Sequence, residues 1–88
     1  MAEEVYKLKN PRGNLRSAVI EVCEITSLTS VARAYVKYSW TNHYWPVQFW
    51  SKKGADKAFL YAKNYVRQHI QSRKDFPEIP VWEKVKES

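Results

Sequence analysis

At 88 residues the chain has room for one domain with a thin core, because a domain this short buries only about 60–65% of its unfolded surface. Hydrophobic side chains at 44% and aromatic ones at 15% exclude a disordered segment. A balance of 15 Lys+Arg against 9 Asp+Glu leaves a charge of +6, which favours polyanionic partners.

The chain opens with "MAEEVYKLKN", which lacks the apolar core of a secretory signal. Residues 1–16 read as a basic N-terminal arm with a short strand at "VYKL" and a turn at Pro11-Arg12-Gly13. Lys7, Lys9, Arg12 and Arg16 in that arm suit a DNA backbone or a minor groove, and equally suit a solvated tail. "RSAVIEVCEIT" follows, and Val19, Ile20, Val22, Ile25 and Thr26 give it the β-branched density of a strand. The longest apolar-rich stretch, "AVIEVCEI", is short and carries glutamates, so no bilayer span is expected. Cys23 is the lone cysteine, which excludes an internal disulfide and points to a reducing compartment. The expectation is a soluble intracellular chain.

After a turn at "SLTS", the segment "VARAYVKYSW" alternates. Ala32, Ala34, Val36, Tyr38 and Trp40 share one face, and Arg33, Tyr35, Lys37 and Ser39 share the other, the period of a half-buried strand. "YWPVQFW" is predicted as a third strand, with Trp45, Val47 and Phe49 inward and Tyr44, Pro46, Gln48 and Trp50 outward. Pro46 has no N–H for a ladder, which places this strand at a sheet edge.

The segment "SKKGADKAFLYAKNYVRQHIQSRK" predicts a long helix, because Ala55, Ala58, Phe59, Ala62, Val66, His69 and Ile70 form one apolar stripe. Gly54 and Asp56 open it beside Lys52 and Lys53, where its N-terminus could hold a phosphate; an ordinary capped turn explains the same residues. The prolines at 77 and 80 end the helix, and Phe76, Ile79, Val81 and Trp82 are too apolar for a free tail. Residues 75–88 are therefore expected to fold back on the body or to add a strand.

The expected fold is α+β: a three-stranded antiparallel sheet over residues 17–74, packed by one face on the long helix, in the order βββα. The uncovered face would then show Arg33, Tyr35, Lys37, Tyr44, Gln48 and Trp50. Cations there would neutralise phosphates, amides would reach base edges, and flat rings would stack on bases. The competing reading is structural: the tail covers that face, and its lysines and arginines guard a sheet edge.

The stretch "YWPVQFWSKKGADKAFLYAKNYV", as last strand and helix of a βββα unit, is similar in layout to two DNA-binding families. These are the plant APETALA-type domain and the arm-binding N-terminal domain of tyrosine integrases. The resemblance covers residues 17–73 and rests on topology without a strict motif. It implies a sheet laid in the major groove, with Arg33, Tyr35, Lys37, Gln48 and Trp50 at groove-facing positions. The longer first hairpin and the weak basic loop depart from the pattern.

No catalytic or metal constellation is apparent. Cys23, His43 and His69 stand apart in sequence, His69 reads as a hydrogen-bonded core histidine, and two glycines are too few for a phosphate-cradling loop. The chain is therefore expected to be no enzyme and to need no cofactor or metal. The leading expectation is a small nucleic-acid-binding protein, for double-stranded DNA ahead of RNA, in a regulatory, viral or mobile-element role. Lys52, Lys53 and the arm residues Lys9, Arg12 and Arg16 would add phosphate contacts. The alternative is a protein-binding adaptor or enzyme inhibitor anchored by Tyr44, Trp50 and the "FPEIPVW" tail, and a homodimer through the same face is a third reading.

Overall fold

The computed structural model of the chain describes residues 3–26, 29–40, 47–51, 54–69 and 73–87. Strands β1 (Glu3–Leu8), β2 (Leu15–Thr26), β3 (Thr29–Tyr38) and β4 (Val47–Ser51) are followed by helix α1 (Ala55–His69). A 3-10 turn (Arg73–Asp75) then leads to strand β5 (Trp82–Glu87). The α+β class and the antiparallel sheet agree with expectation, but the sheet has five strands, not three, in the order β4-β3-β2-β1-β5. The helix is also shorter than expected, with 15 residues.

The two added strands come from segments that read as appendages. β1 is no arm: it pairs with β2 on one side and β5 on the other. The reason lies in its side chains, since Leu8 is 1% exposed and Tyr6 stacks on Phe59 of α1 at a centroid distance of 4.1 Å. Burying a leucine of this kind contributes about 1.5–3 kcal/mol, which a solvated arm would forgo. The tail adds β5 beside β1 instead of covering the open sheet face. Trp82 pairs in register with Leu8 and meets Phe59 edge-on at 6.3 Å. In β2–β3–β4–α1 the elements follow the order of a βββα unit, and β1 and β5 extend the sheet beyond β2.

The alternation in β3 works as the sequence predicts. Ala32, Ala34, Val36 and Tyr38 are buried, while Arg33 is exposed and Tyr35 and Lys37 are half-buried. Trp40, one step past the strand, departs from that pattern: it is 53% exposed and stacks on Tyr38 at 4.9 Å. Along β2, an irregularity in register between Leu15 and Ser17 lets both Leu15 and Ala18 enter the core, which strict alternation forbids. Arg16, at the irregularity, is exposed.

Helix α1 lies against β2, β3 and β4 through Ala58, Ala62 and Val66, one stripe at four-residue spacing. Ala58, Ala62, Ala18 and Ala32 are each 0% exposed, and Ala34 is 2% exposed. Alanine on both layers lets the backbones approach closely. His69 was expected on this stripe and is not there. It is exposed in the last turn, stacked on Tyr65 at 4.0 Å, with Nδ1 at 3.2 Å from the Tyr65 carbonyl. Ile70 lies outside the described residues.

Across the β1–β5 pair the Tyr6 hydroxyl donates to the Glu4 carboxylate, and Lys84 Nζ lies 3.3 Å from the same oxygen. The hydroxyl contact first, and Lys84 with it, hold the Glu4 carboxyl below its ordinary value. Burial, and then the same contact, raise the Tyr6 hydroxyl. Among the described residues no helix is long and apolar enough to cross a membrane.

Two outcomes follow from this packing. Ala62→Leu overfills the helix–sheet seam and should cost about 1–3 kcal/mol in a urea titration, whereas the exposed Leu60→Ala should stay within about 0.5 kcal/mol. Because Glu4 has a lowered folded pKa, its stabilisation is present above the unfolded value of 4.5 and is lost as pH falls through the folded one. Glu4→Gln should therefore lose less stability than the native chain as the pH is taken down through and below 4.5.

Candidate nucleic-acid interface

The predicted site residues fall into two separate places. Arg33, Tyr35 and Lys37 stand on the sheet face away from α1. Gln48 and Trp50 of β4 pair in register with Arg33 and Val31. Tyr44, Lys52 and Lys53 lie outside the described residues, so the proposed lysine turn before the helix is represented only by Gly54, at φ 106°, and the start of α1.

Among the described residues no element lies over this face, and its charges are of both signs. Arg33 pairs across strands with Glu21, and Lys7 pairs with Glu83. Lys37 pairs with Ser17, and Glu3 pairs with Cys23. Among the described residues, Lys7, Arg33 and Lys37 thus share this face with Glu3, Glu21 and Glu83, and Lys86 pairs with Val5 of the same face. Opposite charges placed directly across strands attract one another and cancel at a distance. A shallow depression lined by Glu3, Glu21, Cys23, Ile25, Val31 and Arg33 carries two carboxylates against one guanidinium.

Lys9, Arg12 and Arg16 occupy the second place, one end of the sheet. The loop between β1 and β2 is fastened there by several hydrogen bonds. Lys9 N donates to the Val81 carbonyl at 2.7 Å. The Asn10 amide donates to the Ile79 carbonyl at 3.1 Å and accepts from Val81 N at 3.0 Å, so a side chain extends the β1–β5 ladder by one more pair. Asn14 N donates to Asp75 Oδ1 at 3.1 Å, and Ser39 N donates to the Asn14 carbonyl at 2.8 Å. The loop is held by the end of β3, the 3-10 turn and the approach to β5 together.

Gly13 makes that arrangement feasible. Its φ of 60° lies in the left-handed region, and a Cβ there would collide with the Asp75 carboxylate. Asp75 is 7% exposed, and its described partner is the Asn14 N–H. A buried carboxylate therefore holds a loop whose own side chains, Lys9, Arg12 and the adjacent Arg16, are all exposed.

Other cations gather at the same end. Lys37 lies next to Tyr38, which pairs with Leu15, and Lys74 lies in the 3-10 turn. Arg67 is in the last turn of α1 and lines a groove with Phe76 and Pro80. Lys9, Arg12, Arg16, Arg67 and Lys74 are exposed and Lys37 is half-buried; of the carboxylates here, Glu78 is exposed and Asp75 is buried. The exposed Trp40 ring stands among them. The opposite end of the sheet mixes Glu3, Glu4, Glu24 and Asp56 with Lys57 and Lys84.

Sequence reasoning missed this concentration because its members lie between positions 9 and 74 and no spacing rule joins them. Arg67 and Lys74 both fall within the segment "SKKGADKAFLYAKNYVRQHIQSRK" expected to form one long helix. The available signal was the Asn-Pro-Arg-Gly-Asn run, whose turn chemistry implies an ordered loop and not an arm. Among the described residues, no three His, Cys, Asp or Glu side chains group as metal ligands would.

Compared with known proteins, the chain matches no family model, no curated protein and no solved structure.

The loop geometry can be tested directly. Gly13→Ala combines a left-handed alanine, costing about 1 kcal/mol, with displacement of the buried Asp75, so a total loss of about 2 kcal/mol or more in chemical denaturation is expected. A loss below about 0.5 kcal/mol would mean that Asp75 does not hold the loop as described.

Proposed function

We propose that the protein binds nucleic acid, duplex DNA first among its forms, by setting the basic end of its sheet against the phosphate backbone. The carrying observation is the segregation of charge. Lys9, Arg12, Arg16, Arg67 and Lys74 converge on one end, joined by Lys37 from the margin of the sheet, whereas the broad sheet face interleaves cations with carboxylates. Each phosphate neutralised releases condensed counterions, and contact by all six cations would give a salt slope near −5. Fastening the loop before binding lowers the entropy lost in ordering its cations on a partner. The exposed Trp40 ring supplies an amphipathic plate beside them.

A second reading has its own support. The open face presents half-buried Val5, Val19 and Tyr35 among paired opposite charges. That mixture suits a protein surface better than a polyanion, since interfaces combine apolar area with complementary charges.

Titrating a labelled duplex by fluorescence anisotropy at several salt concentrations separates the two. Lys9→Ala with Arg12→Ala should weaken binding about tenfold or more and make the salt slope shallower by about 2. Arg33→Ala, on the broad sheet face, should change affinity by less than about twofold. Affinity insensitive to salt would count against any phosphate-led mode, and a large effect of Arg33→Ala alone would return the contact to the sheet.

A further inference from the structure

Beside the basic end, on the helix side of the sheet, a groove runs between α1 and the segment leading into β5. It is lined by Leu60, Lys63, Asn64, Arg67, Phe76, Pro80 and Trp82. Lys63 and Arg67 are one turn apart on the same flank of α1, with Asn64 between them. Phe76, 6% exposed, belongs to the buried core, and Trp82 is half-buried against it. The indole is held in place: Phe59 meets it edge-on at 6.3 Å, and Phe59 is itself fixed by stacking on Tyr6. Lys63 Nζ lies over the Phe59 ring at 4.6 Å from its centroid, a cation–π contact at the flank of the groove that Lys63 also lines.

The chemistry of this lining is specific. Two cations one helical turn apart fit an anion, an amide offers both donor and acceptor, and a fixed indole offers a flat apolar wall. An aliphatic ligand would leave the amide and the cations unused, and a bare phosphate would leave the indole unused. A nucleobase carrying its phosphate uses all of them. We infer that the groove takes one unpaired base, stacked at Trp82 and edge-bonded by Asn64, with the adjoining phosphate on Lys63 and Arg67. The inference rests on the nucleic-acid reading and sharpens it. The backbone runs across the basic end, reached through Arg67, which belongs to both surfaces, and a base free of its duplex enters the groove.

The test compares an eight-residue oligothymidylate with a blunt duplex of the same length, at matched salt, using the full chain. Trp82→Leu should weaken single-strand binding about tenfold, within the range of one base–aromatic stack, and leave duplex binding within about twofold. Lys63→Ala with Arg67→Ala removes surface charge, so it serves even where Trp82→Leu unfolds. It should weaken single-strand binding and make its salt slope shallower by about 1 to 2. If single-strand affinity is unchanged in both variants while Lys9→Ala with Arg12→Ala still weakens it, the groove assignment is overturned and the basic end stands. If the unaltered chain binds neither probe, the nucleic-acid reading itself falls and takes the groove with it.

Discussion

The close approach of α1 to the sheet governs the rest of the molecule. Five alanines, Ala18, Ala32 and Ala34 from the strands and Ala58 and Ala62 from the helix, lie in the same buried cluster. Small side chains on both layers let dispersion contacts form between backbones, but they leave no volume for adjustment. The larger residues are pushed to the margins of that seam. Leu8, Leu15 and Phe76 fill one region, and Tyr6, Phe59 and Trp82 form a ring cluster where α1 reaches β1 and β5. A thin core thus becomes adequate because the aromatic side chains wall its edge.

That wall explains how much could be read from the residues beforehand. Strands β2 and β3 and the inner stripe of α1 are written in local periodicity, two for the strands and near four for the helix, and local periodicity survives folding. β1 and β5 carry no such pattern. "EEVYKL" is half charged and "WEKVKE" two-thirds charged, and what makes them strands is each other, together with the aromatic contact to Phe59. Pairing between residues so far apart has no signature in a single chain. Trp40 and His69 depart from expectation for a related reason: Trp40 lies just past the end of β3 and His69 is the final residue of α1, where the inner stripe no longer has a sheet beneath it.

The functional surface shows the same division. Arg33, Tyr35 and Lys37 do share an outward face, as alternation requires. Alternation says nothing of what stands on the neighbouring strands, and there Glu21 and Glu83 set carboxylates beside Arg33 and Lys7. The cations at the sheet end share no face and no period. They meet because a loop, a strand terminus, a helix terminus and a 3-10 turn close on one another through Asp75, Asn10 and Asn14. A surface of this origin depends on tertiary hydrogen bonds, so its electrostatics and its folding stability are coupled.

The pairing of β5 with β1 has a consequence for how the molecule comes into being. β1 is synthesised well before β5, and one of its sides stays bare until residues 82–87 have emerged. Throughout that interval the nascent chain offers unpaired N–H and C=O groups to any neighbouring strand. The glutamates at positions 3 and 4 and the lysine at 7 then act as guards, since burying them against a foreign strand is costly. The charge that disguised β1 as a solvated arm is, in this light, protection for an edge that must wait longest for its partner.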